Sequence, residues 1–190
     1  MNQQLSFSTQ SLRQAKGKSF GGVALEKRRK VARPLQVKAI HHVVFKSQKA
    51  VGQLSFYRHK NLVGSLLRER ARKHFVEIKD FVNMGNHLHL KLKFKDRVQF
   101  QNFLRTFAAI LARKITGAHR SQKFGKFWDG LVFTRILTSK FEELSLKGYF
   151  EGNHRERELG KSERERYLQS FQQFLSRLRK VRGLKYQAPS

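Results

Sequence analysis

Residues 87–95, HLHLKLKFK, carry the densest chemistry in the chain. In an extended segment, side chains alternate faces with a period of two. Leu88, Leu90, Leu92 and Phe94 then share one face, and His87, His89, Lys91, Lys93 and Lys95 share the other. A packed core does not tolerate three unpaired ammonium groups, so both histidines should lie on a face turned to solvent or to a ligand. Two imidazoles at i and i+2 project in parallel and can both reach one divalent ion. A third ligand has to come from elsewhere. The lysine row beside them would hold a backbone phosphate close to that ion. The pattern suits metal-assisted chemistry on a phosphodiester. Two plainer readings compete: histidines hydrogen-bonded inside a core, and histidines that are ordinary polar surface residues.

The rest of the chain supplies a frame for that strand. Residues 36–46 are β-branched and apolar enough for a strand, and 61–73 carry Leu62, Leu66 and Leu67 at helical spacing. Residues 74–83 alternate like a strand, and Met84-Gly85-Asn86 reads as a turn into 87–95. Residues 98–116 place Phe100, Phe103, Leu104, Phe107, Ile110, Leu111 and Ile115 on one helical stripe. Residues 128–137 read as a fourth strand and 139–154 as a helix interrupted by glycines. A last helix over 161–182 carries Tyr167, Phe171, Phe174, Leu178 and Val181 at 4-3-4-3 spacing and is expected to pack within the chain. The order strand, helix, strand, strand, helix, strand predicts an α+β, ferredoxin-like (split βαβ) antiparallel sheet. Two helices should pack on one face, with the other face open or covered in part by the extra helices. The predicted units are a basic tail over 1–33, a domain over 34–157, and a basic C-terminal helix and tail over 158–190.

Composition narrows the chemistry. There are 41 Lys+Arg against 13 Asp+Glu in 190 residues, a formal net charge of +28. An excess of this size opposes compaction and calls for a polyanion, and nucleic acid offers dense phosphate and condensed counterions to release. An anionic membrane surface is the weaker alternative. No apolar run is long enough for a spanning helix, and the first residues lack the apolar core of a secretory signal, so a cytoplasmic location is expected. With no cysteine, thiolate metal sites, iron–sulfur clusters, disulfides and cysteine nucleophiles are excluded. Asp80, Asp96 and Asp129 are the only aspartates, too few for an Asp-rich two-metal nuclease. In the first 33 residues eight Lys and Arg stand against the single acid Glu26. That segment reads equally as a phosphate-binding arm or as a dispensable extension.

The segment Phe81-Val82-Asn83-Met84-Gly85-Asn86-His87-Leu88-His89-Leu90 resembles the motif of HUH single-strand endonucleases. It is most similar to the single-tyrosine transposases of the REP-associated kind, which carry an IS200-like transposase domain. Phe127-Trp128-Asp129-Gly130 with the strand to Leu137, and then Tyr149-Phe150-Glu151-Gly152-Asn153, resemble that family's last strand and tyrosine helix. The resemblance spans roughly residues 36–155. It implies a metal-dependent transposase that cuts single-stranded DNA beside a hairpin through a 5′-phosphotyrosine intermediate, as a monomer or a homodimer. It further implies Tyr149 as nucleophile, His87, His89 and Asn153 as ligands, and Mg²⁺ or Mn²⁺ as the ion. Lys91, Lys93, Lys95 and Arg135 are candidate phosphate contacts. The chain departs from the family pattern at three places. Gly85 stands where the family usually has proline. His154, a potential substitute ligand, follows Asn153 where proline is common. Gly148 and Gly152 flank the tyrosine, and each weakens a helix by roughly 1 kcal/mol relative to Ala, which predicts either a mobile nucleophile or a decaying site. His42, on the first strand, is expected on the same side as His87 and His89 and receives no catalytic role. The competing function is a basic nucleic-acid-binding protein that coats RNA or DNA on the same scaffold without cutting, or a degenerate transposase.

Overall fold

The computed structural model describes residues 19–21 and 32–181. Among them the elements run β1 (Ser19–Phe20), β2 (Ile40–Lys46), α1 (Lys60–Lys73), β3 (Val76–Asn83), β4 (His87–Phe94), α2 (Arg97–Thr116), β5 (Phe133–Leu137), α3 (Lys140–Leu159) and α4 (Lys161–Val181). The spatial order of the sheet is β1-β5-β2-β4-β3, antiparallel throughout. From β2 to β5 this is the split βαβ arrangement, so the expected ferredoxin-like α+β fold is the one observed. The fourth strand is shorter than its sequence pattern. It begins at Phe133, while Trp128 turns into the core, where its indole N–H donates to Ala108 O at 3.1 Å.

Most of the basic tail lies outside the described residues, as do residues 182–190. Ser19 and Phe20, however, pair with Arg135 and Thr134 of β5. The Arg33 guanidinium donates to Val132 O and Thr134 Oγ1 and lies over the Phe20 ring. Gly21 follows with φ +86°, and a Cβ there would stand 2.2 Å from Val132 O, so only glycine fits.

One face of the sheet carries the main core. Leu88, Leu90, Leu92 and Phe94 of β4 and Val43 and Phe45 of β2 pack on α1 and α2 through Leu67, Phe100, Phe103, Phe107 and Leu111. The caps agree with the sequence. Asp96 accepts from Gln99 N at 2.6 Å to start α2, and Gly117 ends it in the left-handed region.

His41 sits wholly buried on this side, 4.7 Å from the Phe94 ring and 5.7 Å from Phe100. Its Nδ1–H donates to Ala39 O and its Nε2 accepts from Gln36 N, a pairing only the neutral ring can make. Burial lowers its pKa to about 4, partly opposed by the Ala39 carbonyl. The unfolded chain therefore takes up this proton near pH 6.5 and the folded chain only near pH 4. Stability is lost as pH falls through that window, by about 1.4 kcal/mol per pH unit for this group. Urea unfolding at pH 7 and pH 5 is expected to show a smaller acid-induced loss for His41→Leu than for the unsubstituted chain. Equal losses would refute the assignment.

The second face is covered rather than open. Helix α3 lies across it, and Phe150 and Leu146 pack with Val82 and Leu137 beneath. Helix α4 packs in turn on α3, through a stripe that keeps Tyr167, Phe171 and Leu178 of the expected one and extends it. Arg164, Leu168, Phe171 and Leu175 face inward, whereas Phe174 is 47 % exposed. The glycines that suggested mobility are sites of close approach. A Cβ on Gly148 would fall 2.0 Å from the Phe171 ring, and one on Gly152 3.0 Å from Leu168 Cδ2. Gly148→Ala should gain about 1 kcal/mol of helix propensity and lose about 1–3 kcal/mol to overpacking. A net fall in the urea midpoint is expected, recovered in part by adding Phe171→Leu. A rise in the midpoint for the single variant would show that α4 yields freely.

Candidate active site

The site begins at the turn before β4. Gly85 adopts φ +85°, and a Cβ there would stand 2.8 Å from the Tyr57 ring. Proline, held near φ −65°, cannot take that conformation, so the departure from the family pattern is a demand of this backbone. The turn is fastened on both sides. Asn83 Oδ1 accepts from Gly85 N at 3.0 Å, Asn83 Nδ2 donates to Phe56 O at 2.8 Å, and Phe56 N donates to Gly85 O at 2.7 Å.

His87 opens the strand, and its ring lies 4.7 Å from that of His89. The His87 Nδ1–H donates to Asn86 Oδ1 at 2.6 Å, which leaves Nε2 with its lone pair. His89 Nδ1 lies 3.1 Å from His42 Nε2, and the two rings stack. With its proton on Nδ1, His89 donates to His42 and likewise presents Nε2. His42 thus orients a candidate ligand ring, as outer partners of metal-bound histidines commonly do. Its role was legible only in part. Alternation on β2 puts it on this face, but the diagonal contact needs the β2–β4 register, in which His42 pairs with Lys91 and Val44 with His89.

These imidazoles are neutral at neutral pH. Burial lowers His42 to about 3, aided by the Arg135 charge. Burial lowers His87 to about 4, with help from Lys46 and Arg164. His89 is held well below its ordinary value by burial and then by the charges of His42, His87 and Arg164. His89 is only 5 % exposed, so it does not stand on an open surface as the lysine argument required. The reason is α3, whose Tyr149 and Phe150 rings lie 5.2 and 6.2 Å from it.

Tyr149 turns its hydroxyl onto this pair, 3.3 Å from His89 Nε2. Burial pushes the phenol up from its ordinary pKa. The Asn153 amide and then Arg164 oppose that shift, and Glu156 adds to it. Asn153 is four residues on and therefore on the same helix face. It is 1 % exposed, and its amide nitrogen has no hydrogen-bond partner. Among the described residues no three His, Asp or Glu side chains gather as a metal site. A divalent ion would rest on two neutral imidazoles and the Asn153 amide oxygen, a donor set compatible with Mn²⁺ or Mg²⁺.

The remaining candidates are dispersed. Lys91 and Lys93 are half-buried on the α3 side of the sheet, and Lys95 is exposed beyond the strand end. Arg135 is engaged with Glu142 at 3.0 Å, tying β5 to the first turn of α3, where Ser139 caps the helix. His154 Nε2 lies 3.7 Å from Asp80 Oδ1. Tyr167 packs 5.8 Å from Phe171 and donates to Glu151 Oε2 at 2.6 Å. Among the described residues, no helix is long and apolar enough to cross a membrane.

Comparison with known proteins gives three results. Residues 36–153 match the profile of a family described as "Transposase IS200 like". No curated protein matches the chain. Among solved structures, the chain is similar to a presumed transposase from Deinococcus radiodurans R1, with 17% identity and a TM-score of 0.39, covering 65% of this chain and 97% of that one.

Proposed function

Since this chain belongs to the IS200-like transposase family, we propose that it is a single-stranded DNA endonuclease and strand transferase that works through a covalent 5′-phosphotyrosine on Tyr149 at hairpin-flanked sites. The observation that carries this reading is the Tyr149 hydroxyl 3.3 Å from His89 Nε2. It brings a nucleophile to a pair of neutral nitrogen ligands. A phenol with an ordinary pKa of about 10 is a weak nucleophile until its proton is drawn off. With an ion held on His89 Nε2, whose single lone pair the His42 contact directs, the phenol proton would pass to solvent and the charge of the ion would favour the phenolate.

In the cutting step the Tyr149 oxygen forms a bond to phosphorus and the bond to the 3′-oxygen breaks. The 3′-oxygen takes a proton and leaves as a hydroxyl, while the 5′-phosphate stays on the tyrosine. Attack by another 3′-hydroxyl reverses these bonds and releases the phenol. The phosphotyrosine retains the energy of the original linkage, so joining requires no nucleotide cofactor. His87, His89 and Asn153 would hold Mg²⁺ or Mn²⁺, which when bound polarises a phosphoryl oxygen and stabilises charge in the transition state. The half-buried Lys91 and Lys93, with the exposed Lys95, are suited to phosphates of the incoming strand, and Arg135 contributes by fixing the start of α3.

The test is a denaturing gel of the full chain incubated with hairpin-bearing single-stranded DNA and Mn²⁺. A slow protein–DNA band that disappears with chelator supports the proposal. Tight DNA binding with no such band on a panel of hairpins would favour the non-cutting binder.

A further inference from the structure

We propose that Arg164, on the last helix, contacts the scissile DNA phosphate at the Tyr149 site, so that α4 supplies part of the active site. The inference rests on the strand-transfer reading above and extends it beyond residues 36–153, where the family resemblance ends.

Three observations converge on this residue. The Arg164 guanidinium carbon lies 6.0 Å from the centre of the Tyr149 ring, on the ring of the proposed nucleophile. Its position is prepared by the fold. Gly152 leaves α3 bare where Arg164 crosses it, and a Cβ there would touch Arg164 Cγ at 3.6 Å. Finally, an acidic partner anchors the guanidinium from its inner side. Arg164 Nε is 3.2 Å from Glu156 Oε2 but is not aligned to donate to it, and is buried without a hydrogen-bond partner. Glu156 holds the cation in place, while the planar fork keeps donors for a phosphate. The side chain is 25 % exposed, three-quarters shielded from water and still open to a ligand. A charge placed so should weigh more than the surface lysines do.

The experiment compares the full chain with Arg164→Gln and Arg164→Lys, each checked for an unchanged urea midpoint. The substrate is an oligonucleotide that the chain cuts, made either with its normal scissile phosphodiester or with a neutral methylphosphonate at that linkage. On the phosphodiester, Arg164→Gln is expected to slow adduct formation about 10²-fold, with partial rescue in Arg164→Lys. On the methylphosphonate the defect should nearly vanish, because no charge remains for the arginine to meet. An equal defect on both substrates would mean a structural role, and no defect on either would also overturn the proposal. If the full chain makes no adduct at all, the strand-transfer reading fails separately. Arg164 is then judged on binding to single-stranded DNA. Arg164→Gln should reduce the salt slope by about 0.7, the value for one phosphate contact, and an unchanged slope would overturn the proposal.

Discussion

Tyr149→Phe is expected to abolish the covalent protein–DNA band, a loss of about 10³-fold or more in adduct formation, while DNA binding and the unfolding midpoint stay close to those of the parent chain. The substitution removes one oxygen, which lies 3.3 Å from His89 Nε2 and beside the Asn153 amide. The ring remains to pack against His89 and Phe150. No other described tyrosine is placed to take over. Tyr57 is committed to the turn at Gly85, and the Tyr167 hydroxyl is held by Glu151. The separation of effects is therefore diagnostic. Loss of the band with binding intact identifies the nucleophile. A band that persists in the variant would remove Tyr149 from the chemistry.

His89→Ala is expected to produce the next largest loss, about 10²–10³-fold in single-turnover cutting, because one ring serves two partners. Its Nε2 faces Tyr149 and its Nδ1 faces His42. His42→Leu deletes only the outer contact and should cost about 10–100-fold. Extra Mn²⁺ should rescue His42→Leu further than His89→Ala, since the former keeps the ligand and loses only its orientation. Equal and slight effects of both variants would indicate that the imidazole stack merely fills space.

The fold was readable because its signals are local and repeated. The clean alternation of residues 87–94 decides which face meets α1 and α2, and the Phe100–Phe103–Phe107–Leu111 stripe decides the facing side of α2. The pairing of Tyr149 with His89 was readable from the motif, although their contact spans 60 positions in sequence. What escaped was whatever depends on a layer added from far along the chain. The lysine row argues correctly that β4 has a polar face, but it cannot reveal that α3 covers His89 and leaves only Lys95 fully exposed. Glycine at 148 and 152 looks like weakness when a helix is read alone, and becomes a fitting surface only once Phe171 and Leu168 are opposite. The inward stripe of α4 includes a cation, Arg164, which a search for apolar spacing passes over. His42 likewise needs a diagonal register that no single strand encodes.

The two-residue strand Ser19–Phe20 has a bearing on assembly. Bare margins of a sheet invite another chain to add on and continue the ladder. Here the outer side of β5 is already occupied at Thr134 and Arg135, and Arg33 fastens the occupant. A second copy seeking to prolong the sheet there would first have to dislodge the chain's own amino-terminal segment. The opposite margin, β3, is interrupted by an irregularity between Ile78 and Asp80 and carries exposed Glu77 and Lys79 charges. Neither rim is a ready template, so two such molecules would meet more easily through side chains than through a shared backbone ladder.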